Sequence, residues 1–154
     1  MRKWLLLIMA GGLLVVAAML VVAQRPGELG LVNGALRHCS GGAACVNSQL
    51  GEQRIAPLYV GEEVGRAWLE LVSLLEGNSS VTVTAVESHY LRAEWVQSIF
   101  PFPNDIEFLR FDSGGMIHVR SEGRIGFMTF GSHRSQIDGL VRSLAEALGS
   151  ADGS

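Results

Sequence analysis

The sequence predicts an α+β domain that follows a long apolar N-terminal segment. Three observations lead to this fold class: a stretch of helical periodicity, then two pairs of strand-like runs, then a second stretch of helical periodicity. Strands joined by short turns pair antiparallel, and an amphipathic helix buries one face against such a sheet. We therefore expect an antiparallel sheet of about four strands with two helices packed on one face, preceded by a transmembrane helix or signal segment.

The N-terminal segment is long enough to cross a membrane. Residues 4–23 are 20 consecutive uncharged, mostly apolar positions. A helix of that length spans about 30 Å, the thickness of a bilayer core. Arg2 and Lys3 precede it, so the N-terminus should stay cytoplasmic and the remainder should be exported. A retained anchor is favoured because signal peptides have shorter apolar regions of about 7–15 residues. The alternative is a cleaved signal and a secreted protein, since small residues at 21–23 suit a signal peptidase.

Composition and topology together set the organisation of the chain. Without Arg2 and Lys3, 10 of the 12 basic residues remain against 15 acidic ones, a formal charge of −5. An acidic exported part argues against nucleic acid as a partner. The partner that the sequence does indicate is the membrane, through residues 4–23. The expected parts are an anchor or signal at 1–23, a glycine-rich linker at 24–34, a single exported domain at 35–149 and a flexible tail at 150–154.

The first elements of the domain are a helix and a strand pair. Glu62–Glu76 carries apolar residues at helical spacing, has two acids in its first turn and is followed by a glycine. Val81–Val86 alternates in the manner of a strand, and Tyr90–Val96 is its expected partner. Pro101 and Pro103 then interrupt the chain.

A hairpin and a final helix complete the predicted fold. The turn sequence DSGG lies between the strands Ile106–Phe111 and Met116–Ser121. If its four residues form the loop, Glu107 faces Arg120 across the hairpin. Alternation then places four apolar residues on the core face: Ile106, Phe108, Ile117 and Val119. The last element, Ser132–Leu148, has an apolar stripe typical of a helix that packs on a sheet.

Cys39 and Cys45 are the two cysteines of the sequence. An exported domain lies in an oxidising compartment, so two nearby cysteines predict a disulfide. The intervening SGGAA is small and flexible enough to close the loop. The alternatives are a redox pair or a metal site with His38, but C-x5-C is neither the redox motif C-x-x-C nor a usual metal-ligand spacing.

The most informative charged residues are Asp105, Glu107, Arg120, Arg124 and Arg134. Arginine binds carboxylate and phosphate bidentately, so these residues could form an ion-pair network or bind an anion. Four arginines meet four acids over residues 105–134, and this balance favours the network. Arg134 is expected in the first turn of the last helix, where a base needs an anionic partner. Arg124 and Arg134 are both expected near Asp105.

Other chemical motifs are missing from the sequence. The four histidines are scattered without H-x-x-x-H spacing, and the sequence has no G-x-S-x-G elbow and no phosphate-loop motif. We therefore expect no metal and no cofactor, and the catalytic residues of any reaction stay undefined.

Several motifs together resemble a known family. They are C-x5-C-V-x-S-Q and R-S-x-x-R-x-G, supported by LGLVNGALRHCSGGAACVNSQ, FPNDIEF and GSHRSQI. These motifs resemble the domain of unknown function 1499, which occurs in bacteria and plastid-bearing plants. The resemblance covers about residues 29–148 and implies no reaction. Six positions depart from the family pattern. Asn104 and Thr129 stand where acids are usual, and His133 stands where asparagine is usual. His38, Ser40 and Ala43 stand near the places where the family usually has prolines around the cysteines.

The functional expectation is a membrane-tethered exocytoplasmic domain, most simply a non-catalytic envelope module that binds a protein or a small anionic ligand. The alternative is a hydrolase-like enzyme that uses an arginine–carboxylate pocket, and a third possibility is a lipid-facing cap without a soluble ligand. An enzyme should bring Asp105, Glu107 and the arginines together in a concave pocket. A binding module should pair them along the sheet.

Overall fold

The structure is a computed structural model. It describes residues 2–23, 25–39, 45–49, 55–96, 102–124 and 132–151. The three helices in this part of the chain are α1 (Arg2–Ala23), α2 (Val64–Glu76) and α3 (Ser132–Ala151). The strands are β1 (Leu31–Val32), β2 (Ala35–Leu36), β3 (Cys45–Asn47), β4 (Leu58–Tyr59), β5 (Val81–Val86), β6 (Tyr90–Val96), β7 (Pro103–Phe111) and β8 (Met116–Gly123).

The predicted α+β class is correct, but the sheet is larger than predicted. Within the described residues it has six antiparallel strands instead of about four, in the order β3-β8-β7-β6-β5, with β4 also paired to β8. The two additional strands, β3 and β4, have only three and two residues. Runs this short contain too few alternating positions for periodicity to reveal them.

The predicted long elements are present with small shifts at their ends. β5 and β6 have the predicted bounds. β7 begins at Pro103, three positions before the predicted start. Proline is compatible with the first residue of a strand because its missing N–H is not required there. α2 follows a 3-10 turn at Gly61–Glu63 and begins at Val64.

The DSGG hairpin has the predicted register. Phe111 pairs with Met116, and Glu107 pairs with Arg120. Gly115 ends the loop in the left-handed region at φ 57°, and a Cβ there would lie 2.7 Å from the carbonyl oxygen of Gly61. A side chain at this position would meet backbone as well as an unfavourable φ. The hairpin loop therefore needs glycine there.

The main core lies between one face of the sheet and the two helices of the domain. α2 and α3 contact each other, and their apolar residues share one cluster with the predicted core face of β7 and β8. This cluster includes Trp68, Leu71, Leu75, Ile106, Phe108, Ile117, Val119, Ile137 and Leu144. The opposite face holds a second, smaller cluster of Leu36, Tyr90 and Leu109.

α1 lies outside both clusters. Its span Lys3–Val22 has a mean hydropathy of 2.9, and none of it is buried. Among the described residues it is the one helix long and apolar enough to cross a membrane. A signal sequence near an N-terminus meets the same criterion.

Candidate functional site

The candidate site lies on the sheet face opposite the two helices. Successive strand residues point to opposite faces. Because Ile106, Phe108 and Val119 face the helices, Glu107 and Arg120 face the other side. We call this side the polar face.

Glu107 and Arg120 form a buried ion pair at the centre of the polar face. Arg120 Nη1 donates to Glu107 Oε2 at 2.6 Å, and the two side chains are 2% and 0% exposed. Arg120 Nη2 also donates to the Glu122 carboxylate and, at 3.5 Å, to the carbonyl oxygen of His38. A buried charge is tolerated when it is paired and hydrogen-bonded in this way.

Glu107 accepts two further hydrogen bonds. Its Oε1 accepts from the Tyr90 hydroxyl at 2.6 Å and from the Gly30 N–H at 2.7 Å. Burial, together with the bond to Glu107, raises the pKa of Tyr90 well above its ordinary value, so the phenol stays a donor. Glu107 is thus bonded to three donors and has no exposed surface for a substrate.

A second buried pair lies beside the first. Arg124 donates to both carboxylate oxygens of Asp105, from Nε at 2.9 Å and from Nη2 at 2.7 Å, and both side chains are 3% exposed. This is the bidentate geometry that gives arginine–carboxylate pairs their specificity. Arg124 also pairs with Glu94. The bond to Asp105 is the main cause that raises the pKa of Arg124 above its ordinary value.

Residues 25–39, which we call the arm, cross this polar face. Gly30 donates to Glu107, and the Gly27 N–H makes a longer contact of 3.4 Å with Asp105 Oδ2. Leu36, in the β1–β2 hairpin of the arm, packs in the second apolar cluster. The segment expected to be a linker, residues 24–34, therefore contacts the sheet through its described residues.

The end of the arm is joined to β3. The structure connects Cys39 to Cys45 by a disulfide with Cα atoms 5.7 Å apart. Asn47 Nδ2 donates to the carbonyl oxygen of Arg37 at 2.8 Å, and the Leu36 N–H donates to Gln49 Oε1 at 2.8 Å. Together these bonds hold the end of the arm against β3, the edge strand that pairs with β8.

Arg134 takes a different place from the other arginines. It is exposed in the first turn of α3. Among the described residues, no hydrogen bond or ion pair joins it to Asp105 or Glu107. The structure therefore brings together Asp105, Glu107, Arg120 and Arg124 but does not bring Arg134 into contact with the two acids.

A cleft of about 700 Å³ opens between the arm and the polar face. Four arginines line it: Arg25, Arg37, Arg120 and Arg124. Three acids line it as well: Glu28, Asp105 and Glu122. Glu107 is not among its lining residues. A cleft of this volume is within the usual range for a small-molecule site.

One arginine of the cleft lining lacks a partner among the described residues. The guanidinium of Arg25 is exposed just beyond α1 and has no hydrogen-bond or ion-pair partner within the described chain. The Nε of Arg120 also has no partner among the described residues, but this atom is buried. Arg25 therefore gives the cleft spare donor capacity for an anion.

Another polar pair lies on the helix-covered face. Ser121 Oγ and His133 Nδ1 are hydrogen-bonded at 2.7 Å, and the two residues are 0% and 1% exposed. Burial lowers the pKa of His133 to about 4, although the nearby Glu122 charge opposes this. Because neither group reaches solvent, the pair links β8 to α3 instead of facing a substrate.

Two of the residues that depart from the family pattern lie on this helix-covered side. His133 bonds Ser121, and the buried Asn104 donates from Nδ2 to Gln136 Oε1 of α3 at 3.2 Å. Neither lines the cleft. Of the other departing positions, His38 lines the cleft, and Ser40, Ala43 and Thr129 lie outside the described residues.

Sequence reasoning missed several members of the site: Gly27, Gly30, Tyr90, Glu94 and Glu122. Alternation along β6 places Tyr90 and Glu94 on one face, and the observed register pairs Glu94 with Asp105. That register could not be predicted, because residues 97–101 carry no turn signal comparable to DSGG. The two glycines contribute backbone N–H groups, which every residue except proline has, so composition gives no signal for them.

The sequence model of the family described as protein of unknown function (DUF1499) matches residues 35–144. The chain belongs to the DUF1499 family. The resemblance predicted from the motifs is thereby confirmed. The DUF1499 match includes both cysteines and both buried ion pairs, whereas α1 and the first ten residues of the arm precede it. No curated protein and no solved structure matches the chain. Within the described residues of this DUF1499 protein, no group of three or more histidine, cysteine or acidic side chains could hold a metal ion.

Proposed function

We propose that this DUF1499 protein is a membrane-tethered exocytoplasmic module that binds a small anionic group in the cleft and catalyses no reaction itself. The observation that carries the proposal is the internal pairing of the acids. Asp105 and Glu107 are each bonded to an arginine and to an arm N–H. Carboxylates held in this way support the arm and are poorly placed for acid–base chemistry.

The tether is supported by three features. α1 has the length and apolar character of a membrane span. Arg2 and Lys3 at its start favour a cytoplasmic N-terminus. The disulfide between Cys39 and Cys45 is of a kind that persists in oxidising compartments outside the cytoplasm.

The tether is tested by a C-terminal alkaline phosphatase fusion together with membrane fractionation. The fusion enzyme is active only after export, so we expect activity and recovery of the full-length chain in the membrane fraction. An inactive fusion contradicts export. An active fusion in the soluble fraction indicates a cleaved signal and contradicts the tether.

One observation favours a catalytic alternative. Asp105, Arg120 and Arg124 line a concave cleft together, as expected of an enzyme that uses an arginine–carboxylate pocket. Purified protein should be assayed against carboxylic and phosphoric ester substrates, with Asp105→Asn as the variant. We expect no turnover above background. Turnover that is lost in Asp105→Asn, while the variant keeps its fold by circular dichroism, supports the hydrolase and overturns the non-catalytic proposal.

A further inference from the structure

We propose that the cleft binds the phosphate-bearing head group of an anionic phospholipid. This inference rests on the proposed function, since it names the ligand class of the same cleft. It is carried by the position of the cleft, by its charge and by its apolar wall.

The position of the cleft places it at the membrane surface. Val22, at the end of α1, and Arg25, just beyond it, are both lining residues. If α1 spans the bilayer, its C-terminal end lies at the level of the lipid head groups. The arm leaves the helix at that level and immediately forms one side of the cleft. A lipid head group can therefore reach the cleft without leaving its leaflet.

One cation of the cleft is available to an anionic group. The other three arginines have acidic partners: Arg37 pairs with Glu28 at 3.2 Å, Arg124 with Asp105 and Glu94, and Arg120 with Glu107 and Glu122. Arg25 is the remaining cation of the cleft lining and has no acidic partner within the described chain. A phosphodiester carries one negative charge and several acceptor oxygens. It can therefore accept hydrogen bonds from the Arg25 guanidinium.

The apolar wall favours an amphiphile over a free anion. Leu29 and Val32 line the cleft beside the arginines, and Val32 is 43% exposed. A soluble phosphate would leave this surface in water, whereas the glycerol and upper acyl carbons of a lipid would cover it. An arginine next to a membrane span also places its charged head at the interface, where it attracts anionic lipid.

The test uses the full-length protein in non-ionic detergent micelles at constant ionic strength. Dioleoylphosphatidylglycerol, dioleoylphosphatidylcholine and sodium phosphate are titrated in parallel. The readouts are the melting temperature and the lipid adducts seen by native mass spectrometry. Arg25→Gln is the test variant. The matched control is Arg142→Gln, because Arg142 is exposed on α3 and does not line the cleft.

We expect phosphatidylglycerol to stabilise the protein and to form one-to-one adducts at concentrations where phosphatidylcholine does neither. Arg25→Gln should weaken the phosphatidylglycerol affinity about five-fold, whereas Arg142→Gln should leave it unchanged. Equal effects of the two lipids, or equal losses in the two variants, overturn the inference. Phosphate binding that depends on Arg25 but matches the lipid in affinity overturns only the lipid and leaves the anion-binding module standing. No Arg25-dependent binding of any probe overturns both.

Discussion

Replacing Arg120 with alanine removes the cation that pairs with buried Glu107 on the polar face. Arg120 is 1% exposed and donates to Glu107, to Glu122 and to the carbonyl oxygen of His38. In the variant, Glu107 stays fully buried and keeps only the Tyr90 hydroxyl and the Gly30 N–H as donors. The charge of Glu107 then has no cation in contact with it.

The expected cost follows from this geometry. Removing one partner of a buried ion pair costs about 3–5 kcal/mol, because the other charge stays buried without compensation. The two donors that remain on Glu107 place the estimate near the lower end, at about 3 kcal/mol. For a domain of this size we expect the melting temperature to fall by roughly 10 °C. The double variant Arg120→Met, Glu107→Gln should recover part of the loss, since neither buried charge remains.

The assay is urea unfolding followed by circular dichroism, with Arg110→Ala as the control. Arg110 pairs with Asp112 at 2.5 Å, but these side chains are 24% and 46% exposed. An exposed pair contributes about 0–1 kcal/mol, so the control should change stability little. If Arg120→Ala costs no more than Arg110→Ala, Arg120 does not have the structural role that its burial implies.

Three further predictions test other contacts of the domain. The pKa of His133 is near 6.5 in the unfolded chain and about 4 in the folded chain. The contribution of neutral His133 to the free energy of unfolding should therefore be fully present above pH 6.5 and should fall by about 3 kcal/mol as the pH drops to 4. His133→Asn should remove this part of the pH dependence, and an unchanged pH profile in the variant contradicts the assignment to His133. Replacing Cys39 and Cys45 together by serine should cost about 2.4 kcal/mol in urea unfolding, whereas free thiols in the purified native protein would show that no disulfide forms. Tyr90→Phe removes one donor from buried Glu107 and should cost about 1–3 kcal/mol; unfolding of this variant at the wild-type urea midpoint would argue against the hydrogen bond.

The fold was predictable where the signals are local. The DSGG turn determines the register of β7 and β8, and that register places Glu107 opposite Arg120 and Ile106 on the core face. Alternation along Val81–Val86 and helical spacing in α2 also depend only on neighbouring residues. The short strands β3 and β4 depend instead on pairing with β8, which lies far along the chain. Their sequences alone carry no comparable signal.

The same distinction between local and long-range signals applies to the candidate site. The pair of Glu107 with Arg120 is separated by 13 positions within one hairpin, and it was predictable. The bond from Gly30 to Glu107 joins residues 77 positions apart through a backbone N–H. The prediction that Arg134 lies near Asp105 depends on the last helix returning toward the start of β7. Arg134 is exposed instead, and the carboxylate of Asp105 accepts hydrogen bonds from Arg124 and from the Gly27 N–H of the arm. Long-range backbone contacts of this kind do not follow from composition or periodicity.

The cleft exists only if the arm lies on the polar face, where the carboxylates of Asp105 and Glu107 hold it. Whether the arm is docked there can be measured by amide hydrogen exchange at Gly27 and Gly30, followed by NMR on the ¹⁵N-labelled full chain in detergent. A docked arm predicts that Gly30 exchanges more than about 10³-fold slower than in an unfolded peptide, with Gly27 protected less because of its longer contact. It also predicts that Glu107→Gln reduces the protection of Gly30. Exchange at Gly30 within about tenfold of the unfolded rate would show that the arm does not rest on the sheet and that the two carboxylates do not hold it.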